Sequence, residues 1–195
     1  MQIVQYPHPA LRWKSQPVVE IDAELQAIVR TMFDLMYEHQ GIGLAANQVG
    51  LPYRVFILNL TADPEEKAEE HIFINPEIIN RRGSQEHEEG CLSFPKLYSP
   101  VRRAEEIVVE AFDLEGRGFE LTVDDLASRA IQHEIDHLDG VLFIDRMSDA
   151  ARRELAPVIG DFEAQYRRQQ QLGLMPSDEQ LKDQLRQLEQ NAAAR

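Results

Sequence analysis

The chain has a single cysteine, Cys91, so no disulfide can form within it. It has no run of about 18 apolar residues, so no membrane-spanning helix is expected. Its N-terminus lacks the basic-then-apolar pattern of a secretory segment. Basic residues are scarce: 20 Lys and Arg face 34 Asp and Glu, a net charge of −14. Such a chain is repelled by phosphates, which argues against nucleic acid as its direct substrate. The imbalance is uneven, because residues 151–195 carry seven charges of each sign and the acidic excess lies before them. What remains is ordinary: 195 residues at 43% hydrophobic content suit one domain with a full core.

Against this background the stretch His133-Glu134-Ile135-Asp136-His137 stands out. Residues four apart on a helix share a face, so both imidazoles can reach one metal ion. Glu134 follows the first histidine, within reach of a metal-bound water, which is the arrangement a metal-assisted hydrolase needs. The surrounding sequence supports a helix. Asp124 and Asp125 suit its N-terminus, and Leu126, Ala130, His133 and His137 fall on one inward face. Gly140 stands where a left-handed C-terminal cap belongs.

A catalytic zinc-type site takes three protein ligands and keeps one position for water. A third histidine three residues after Gly140 is missing, because that position is Phe143. A downstream carboxylate (Glu154, Asp161 or Glu163) is available, and so is Cys91 in Glu89-Gly90-Cys91-Leu92-Ser93. The residues alone leave this choice open.

Elsewhere the pattern predicts an amphipathic helix over 22–39 with Leu25, Val29, Met32 and Met36 inward, ended by Gly41 and Gly43. A buried strand is expected over 53–60, an acidic loop over 61–70, and two short strands either side of Pro76. Residues 106–112 and 119–123 should form strands joined by a glycine turn. Ser148 can cap a helix that Pro157 should break or kink. Gly173 stops the next segment, and Ser177 with Gln180 opens a last helix carrying Leu181, Leu185 and Leu188 in a stripe. That stripe is read as packed on its own domain, with a dimer contact as the sharper alternative. Short strands ahead of the metal helix give the expected fold class: α+β, with antiparallel or mixed strands around a central HExxH helix, plus C-terminal helices.

Three segments in order, Gly41-Ile42-Gly43-Leu44-Ala45-Ala46-Asn47-Gln48, Glu89-Gly90-Cys91-Leu92-Ser93 and Gln132–Gly140, resemble the peptide deformylase family. The stretches 5–12 and 140–146 are similar to it too, and the likeness covers roughly residues 2–165. The resemblance implies a catalytic domain over 1–170 and a helical extension over 171–195. It implies hydrolytic removal of the formyl group from N-formylmethionyl nascent peptides, releasing formate, with a metal-bound water as nucleophile and Glu134 as general acid and base. Cys91, His133 and His137 would be the metal ligands. Gln48, through its side-chain amide, and Leu92, through its backbone N–H, would stabilise the oxyanion. One divalent ion is implied, Fe(II) in cells, with Zn(II) or Ni(II) able to substitute. The main chain at Ile42, Gly43 and Gly90 is bare enough for a peptide to lie along it. A reduced thiolate ligand and the absence of a signal segment give a cytoplasmic expectation. The charge-neutral C-terminal region reads first as solvated helix surface, and a transient ribosome contact through it is the alternative.

The chain departs from the resemblance at Tyr98, where many bacterial relatives carry an arginine lining the groove; preference beyond the first substrate residue is therefore open. Arg129 is expected to snorkel to the surface, and His87 to be an ordinary surface histidine. Three rival readings are an endopeptidase, a metal-independent Cys91 nucleophile and a silent metal-binding module. The first leaves Cys91 without a role, the second leaves Glu134 without one, and the third needs neither Glu134 nor Gln48.

Overall fold

The computed structural model describes residues 1–193; positions 194 and 195 of the C-terminal extension lie outside the described residues. Helix α1 (Ala23–Glu38) begins where Asp22 accepts the Leu25 backbone N–H at 2.8 Å. Leu25, Val29, Met32 and Met36 are buried as the periodicity requires. The turn that ends α1 is made by Gln40, at φ 56°, and by neither Gly41 nor Gly43. Those two glycines serve close packing instead. A Cβ on Gly41 would sit 2.7 Å from the Leu92 side chain, and one on Gly43 would sit 2.6 Å from Glu134 Oε1.

Strands β1 (Gly43–Ala45), β2 (Val55–Leu58), β3 (His71–Arg82), β6 (Glu106–Phe112) and β7 (Gly118–Asp124) form one antiparallel sheet in that order. The two short strands expected around Pro76 are one strand, β3. Its register shifts between Ile74 and Glu77, and Asn75 takes a φ of 51°. A bulge at this point lets the sheet absorb a residue that cannot donate to the ladder. A second sheet is the hairpin of β4 (Gln85–Cys91) and β5 (Phe94–Arg103). Along β5, Phe94, Leu97, Ser99, Val101 and Arg103 turn inward at every second or third position.

Helix α2 (Asp125–Leu138) lies at the centre. Ala130, Ile131, Ile135 and Leu138 pack on Phe56, Leu58, Phe73, Ile107 and Val109 of the large sheet. Asp124 holds the N-cap position without a side-chain cap bond. Leu126 does not belong to the inward face; it is 51% exposed, because the first turn of α2 projects beyond the sheet to the mouth of a cleft. Gly140 takes φ 72° as expected, and a Cβ there would meet the Arg12 carbonyl oxygen at 2.7 Å.

After the short helix α3 (Phe143–Arg146), Ser148 caps α4 (Asp149–Gln171) by accepting the Ala151 N–H at 3.2 Å. The helix α4 continues through Pro157, so the proline does not break it. Pro157 faces solvent, where the carbonyl it deprives of a partner can be hydrated. Ser177 and Gln180 form the reciprocal pair that opens α5 (Asp178–Ala193). Leu181 and Leu185 are buried and α5 packs on the 3₁₀ turn Pro9–Arg12, so the stripe faces its own body. Trp13 Nε1 donates to Glu189 at 2.7 Å, and Tyr166 donates to Asp178 at 2.8 Å. No described helix is long and apolar enough to cross a membrane.

Replacing Leu185 with Ala should lower the unfolding free energy by about 2–5 kcal/mol in a urea titration. The sedimentation coefficient of the folded protein should stay unchanged, since the stripe is used within one chain.

Candidate metal and catalytic site

His133 and His137, one turn apart on α2, have ring centroids 5.0 Å apart at 74°. Cys91 reaches them from the end of β4, where a register shift between Gly90 and Cys91 turns the chain. Its Sγ lies 3.2 Å from His137 Nε2. One ligating atom from each of Cys91, His133 and His137 falls within 4.8 Å of the others, and among the described residues this is the one such group. The other candidates for third ligand lie elsewhere. Glu163 accepts from the Tyr6 hydroxyl at 3.0 Å, Glu154 and Asp161 are exposed on α4, and Phe143 packs against Phe94.

The electrostatics of the group suit a cation. Burial opposes a proton on His133, but Cys91, Glu89 and Glu134 outweigh it and raise the imidazole to about 10. His137 is driven well below its usual value by burial and by the positive charges of His133, Arg103 and Arg12. The group thus brings sulfur and nitrogen donors together, with the Glu89 carboxylate against His133. A thiolate and two imidazoles fit a divalent transition metal in that place.

Glu134 is 4% exposed, and burial pushes its carboxyl up to about 7. Its Oε2 is buried without a hydrogen-bond partner. The side chain fits because Gly43 has no side chain to meet it. Gln48 is oriented by the backbone of Ala45: Oε1 accepts the Ala45 N–H at 2.8 Å, which turns Nε2 toward Cys91 Sγ at 3.5 Å. Leu92 follows the cysteine directly. Ile42, Gly43 and Gly90 line a cleft of about 660 Å³ with Cys91, His133 and Glu134. Across the hairpin Tyr98 pairs with Gly90, where a Cβ would stand 2.5 Å from the Tyr98 ring.

The largest element missed by the sequence reading is a buried ion network behind the histidines. Glu89 Oε2 lies 3.2 Å from His133 Nδ1. Arg103 donates to Glu89 at 2.6 and 2.9 Å and to Asp136 at 2.8 Å. Asp136 also accepts from Arg146 at 2.7 and 3.1 Å. Arg129 is buried, correcting the surface expectation. It donates to Glu89 at 2.5 Å and to the carbonyls of His87 and Val101, each at 3.2 Å. Burial alone would raise the Glu89 carboxyl, but His133 and Arg103 overcome it and hold it at about 2. His87 is exposed on β4, as expected of a surface histidine. One signal for the network was legible in principle: Arg103 falls on the inward alternation of β5.

Residues 1–153 match the sequence family described as polypeptide deformylase. The chain is 40% identical to a peptide deformylase of Rhodopirellula baltica, over 94% of this chain and 91% of that one. It is 51% identical to a peptide deformylase of Acidobacterium capsulatum, over 78% and 89% respectively. Among solved structures, peptide deformylase from Plasmodium falciparum superposes with a TM-score of 0.83 at 37% identity, covering 85% of this chain and 97% of that one. Peptide deformylase 1B of Arabidopsis thaliana superposes at 0.83 and 38%, covering 91% and 96%.

Glu89→Gln should weaken Zn(II) affinity by about 10–100-fold, read by competition with a chromophoric chelator, because His133 loses the carboxylate that orients it. It should also lower stability by about 3–5 kcal/mol, since buried guanidinium charge is left undercompensated.

Proposed function

Given that the chain belongs to the polypeptide deformylase family, and so is a metal-dependent hydrolase removing the N-terminal formyl group of nascent peptides, we propose that Cys91, His133 and His137 hold its metal and Glu134 moves the proton. The observation that carries this reading is the meeting of one cysteine sulfur and two imidazoles beside a buried, unpartnered carboxylate oxygen. A divalent ion bound there supplies Lewis acidity, lowering the pKa of a water from about 15.7 toward 7.

The chain's own residues do the rest. Glu134 takes a proton from the attacking water as the oxygen adds to the formyl carbon. It returns that proton to the amine nitrogen as the C–N bond breaks, leaving formate and a free N-terminus. A carboxyl near 7 is suited to both directions of transfer at neutral pH. The negative charge that develops on the formyl oxygen is met by the Gln48 amide and the Leu92 N–H. Ala45 fixes the first of these donors, and the cysteine ligand next to Leu92 anchors the second. Ile42, Gly43 and Gly90 offer main chain to an extended peptide. The methionine side chain lies in the same cleft, toward Ala130 and Leu126 beside His133. Tyr98 puts an aromatic face on the cleft wall near Lys96, and preference beyond the methionine is set against both.

Fe(II) is the metal proposed in cells, with Zn(II) and Ni(II) as substitutes. The catalytic unit is residues 1–170, with 171–195 as a helical extension. The partners are N-formylmethionyl nascent chains, the compartment is the cytoplasm, and the extension is the region available for transient ribosome contact.

The test is formate release from a formyl-methionyl peptide by anaerobic, Fe(II)-loaded protein. Glu134→Ala should lose about 10²–10⁴-fold in kcat with metal retained, and the acetylated peptide should be inert. Cleavage of unformylated peptides, or activity that survives chelation but not alkylation of Cys91, would replace the reading with an endopeptidase or a cysteine nucleophile.

Gly43→Ala gives a second check. Its methyl group displaces the Glu134 carboxylate, so kcat should fall by at least about tenfold while metal content stays at the wild-type level.

A further inference from the structure

The two proposed oxyanion donors sit on different parts of the chain, Gln48 in the 3₁₀ turn Ala46–Val49 and Leu92 in the turn after β4. A third segment, Val4-Gln5-Tyr6, ties both together. The Val4 N–H donates to the Gln48 carbonyl at 2.8 Å, and the Tyr6 N–H donates to the Ser93 carbonyl at 3.1 Å. Between them the Gln5 side chain donates through Nε2 to the Leu92 carbonyl at 3.2 Å. Tyr6 is anchored in turn, with its ring stacked on Phe94 at 4.8 Å and its hydroxyl on Glu163 of α4.

We propose that Val4–Tyr6 is a positioning strap for the oxyanion donors, with Gln5 as the residue that sets the orientation of the Leu92 N–H. This rests on the deformylase reading above. The geometry supplies the reason. Fixing the carbonyls of Leu92 and Ser93 fixes the peptide planes on the C-terminal side of Leu92, and Cys91 holds the residue before it in place through its side chain at the site. Turning the Leu92 N–H away as charge develops would then have to break the contacts of Gln5 and Tyr6 with this turn or be confined to the single peptide between Cys91 and Leu92. Donor pre-alignment of this kind is what makes such a site effective, because no reorganisation is left for the moment of reaction.

The chemistry of Gln5 points the same way. Its Oε1 is buried without a hydrogen-bond partner, so the side chain carries a desolvation penalty that a methionine of similar length would avoid. What glutamine supplies and methionine cannot is the N–H to Leu92. Gln5 also lines the catalytic cleft; it is a positioning residue, acting through the turn it holds.

The experiment compares wild type, Gln5→Met and Gln5→His as Fe(II)-loaded full-length protein, with steady-state deformylation of a short formyl-methionyl peptide, metal content and melting temperature. Gln5→Met should lower kcat about tenfold, less than outright loss of a donor, with KM within about twofold and metal content and melting temperature at wild-type values. Gln5→His, whose ring N–H can reach the same carbonyl, should recover most of the loss. An active wild type with Gln5→Met within about twofold of its kcat overturns the strap. A loss that tracks metal content or melting temperature, or that histidine fails to rescue, overturns it in favour of packing alone. A wild type that releases no formate overturns the deformylase reading, and the strap falls with it.

Discussion

The contact on which the site depends is the guanidinium of Arg103 shared between Glu89 and Asp136. Cys91 and the two histidines come from separate units: the cysteine from a two-stranded hairpin, the histidines from a helix seated on the five-stranded sheet. Apolar packing holds each unit. Phe94, Leu97 and Val101 of the hairpin pack with Leu142 and Phe143, whereas the inner face of α2 packs on the sheet. Apolar contacts tolerate small slides, and a metal site does not. Arg103 spans the seam with a forked, directional grip on a carboxylate of each unit, and Arg129 adds a second tie from α2 to Glu89.

Burying so much charge is costly, and an apolar seam of equal volume could be as stable. The network is better understood by what it orients. Glu89 stands between the arginines and His133 Nδ1, so the carboxylate that locks the hairpin also sets the direction of the imidazole. Asp136, between the two histidines in sequence, is held by Arg103 and by Arg146 of α3. The helix is therefore held through Arg129 before the His133–His137 turn and through Asp136 within it, and the proposed strap at Val4–Tyr6 acts on the turn after Cys91.

The α+β class, the capped helix α1, the HExxH helix and the three segments that meet at the site were legible because their signals are local: a period, a cap, a spacing. The main part that was not legible is the environment of buried charge. Arg129 was expected at the surface because isolated charges usually are, and only the long-range pairing with Glu89 makes its burial tolerable; Arg103 and Glu89 carried no local signal of that pairing. Pro76 and Pro157 misled for a related reason. Pro76 was expected to separate two strands and Pro157 to break or kink a helix, but β3 runs on through a bulge and α4 continues past a solvent-facing turn. Leu126 followed the helical period faithfully yet faces the cleft, because periodicity gives a face and not what lies opposite it.

The same logic explains why the site is lined by glycine on both walls. Gly43 lies on β1, the edge strand of the large sheet, and Gly90 lies on β4. A side chain at 43 would collide with Glu134 and one at 90 with Tyr98, so each absence is first a packing requirement. Under the proposed reading it is also what bares the main chain to an extended peptide. A carboxylate that must be buried to hold its proton near neutral pH, yet stand beside a substrate backbone, needs a neighbour with no side chain at all. One missing Cβ at Gly43 meets both needs, which ties the acid–base chemistry of Glu134 to the shape of the groove.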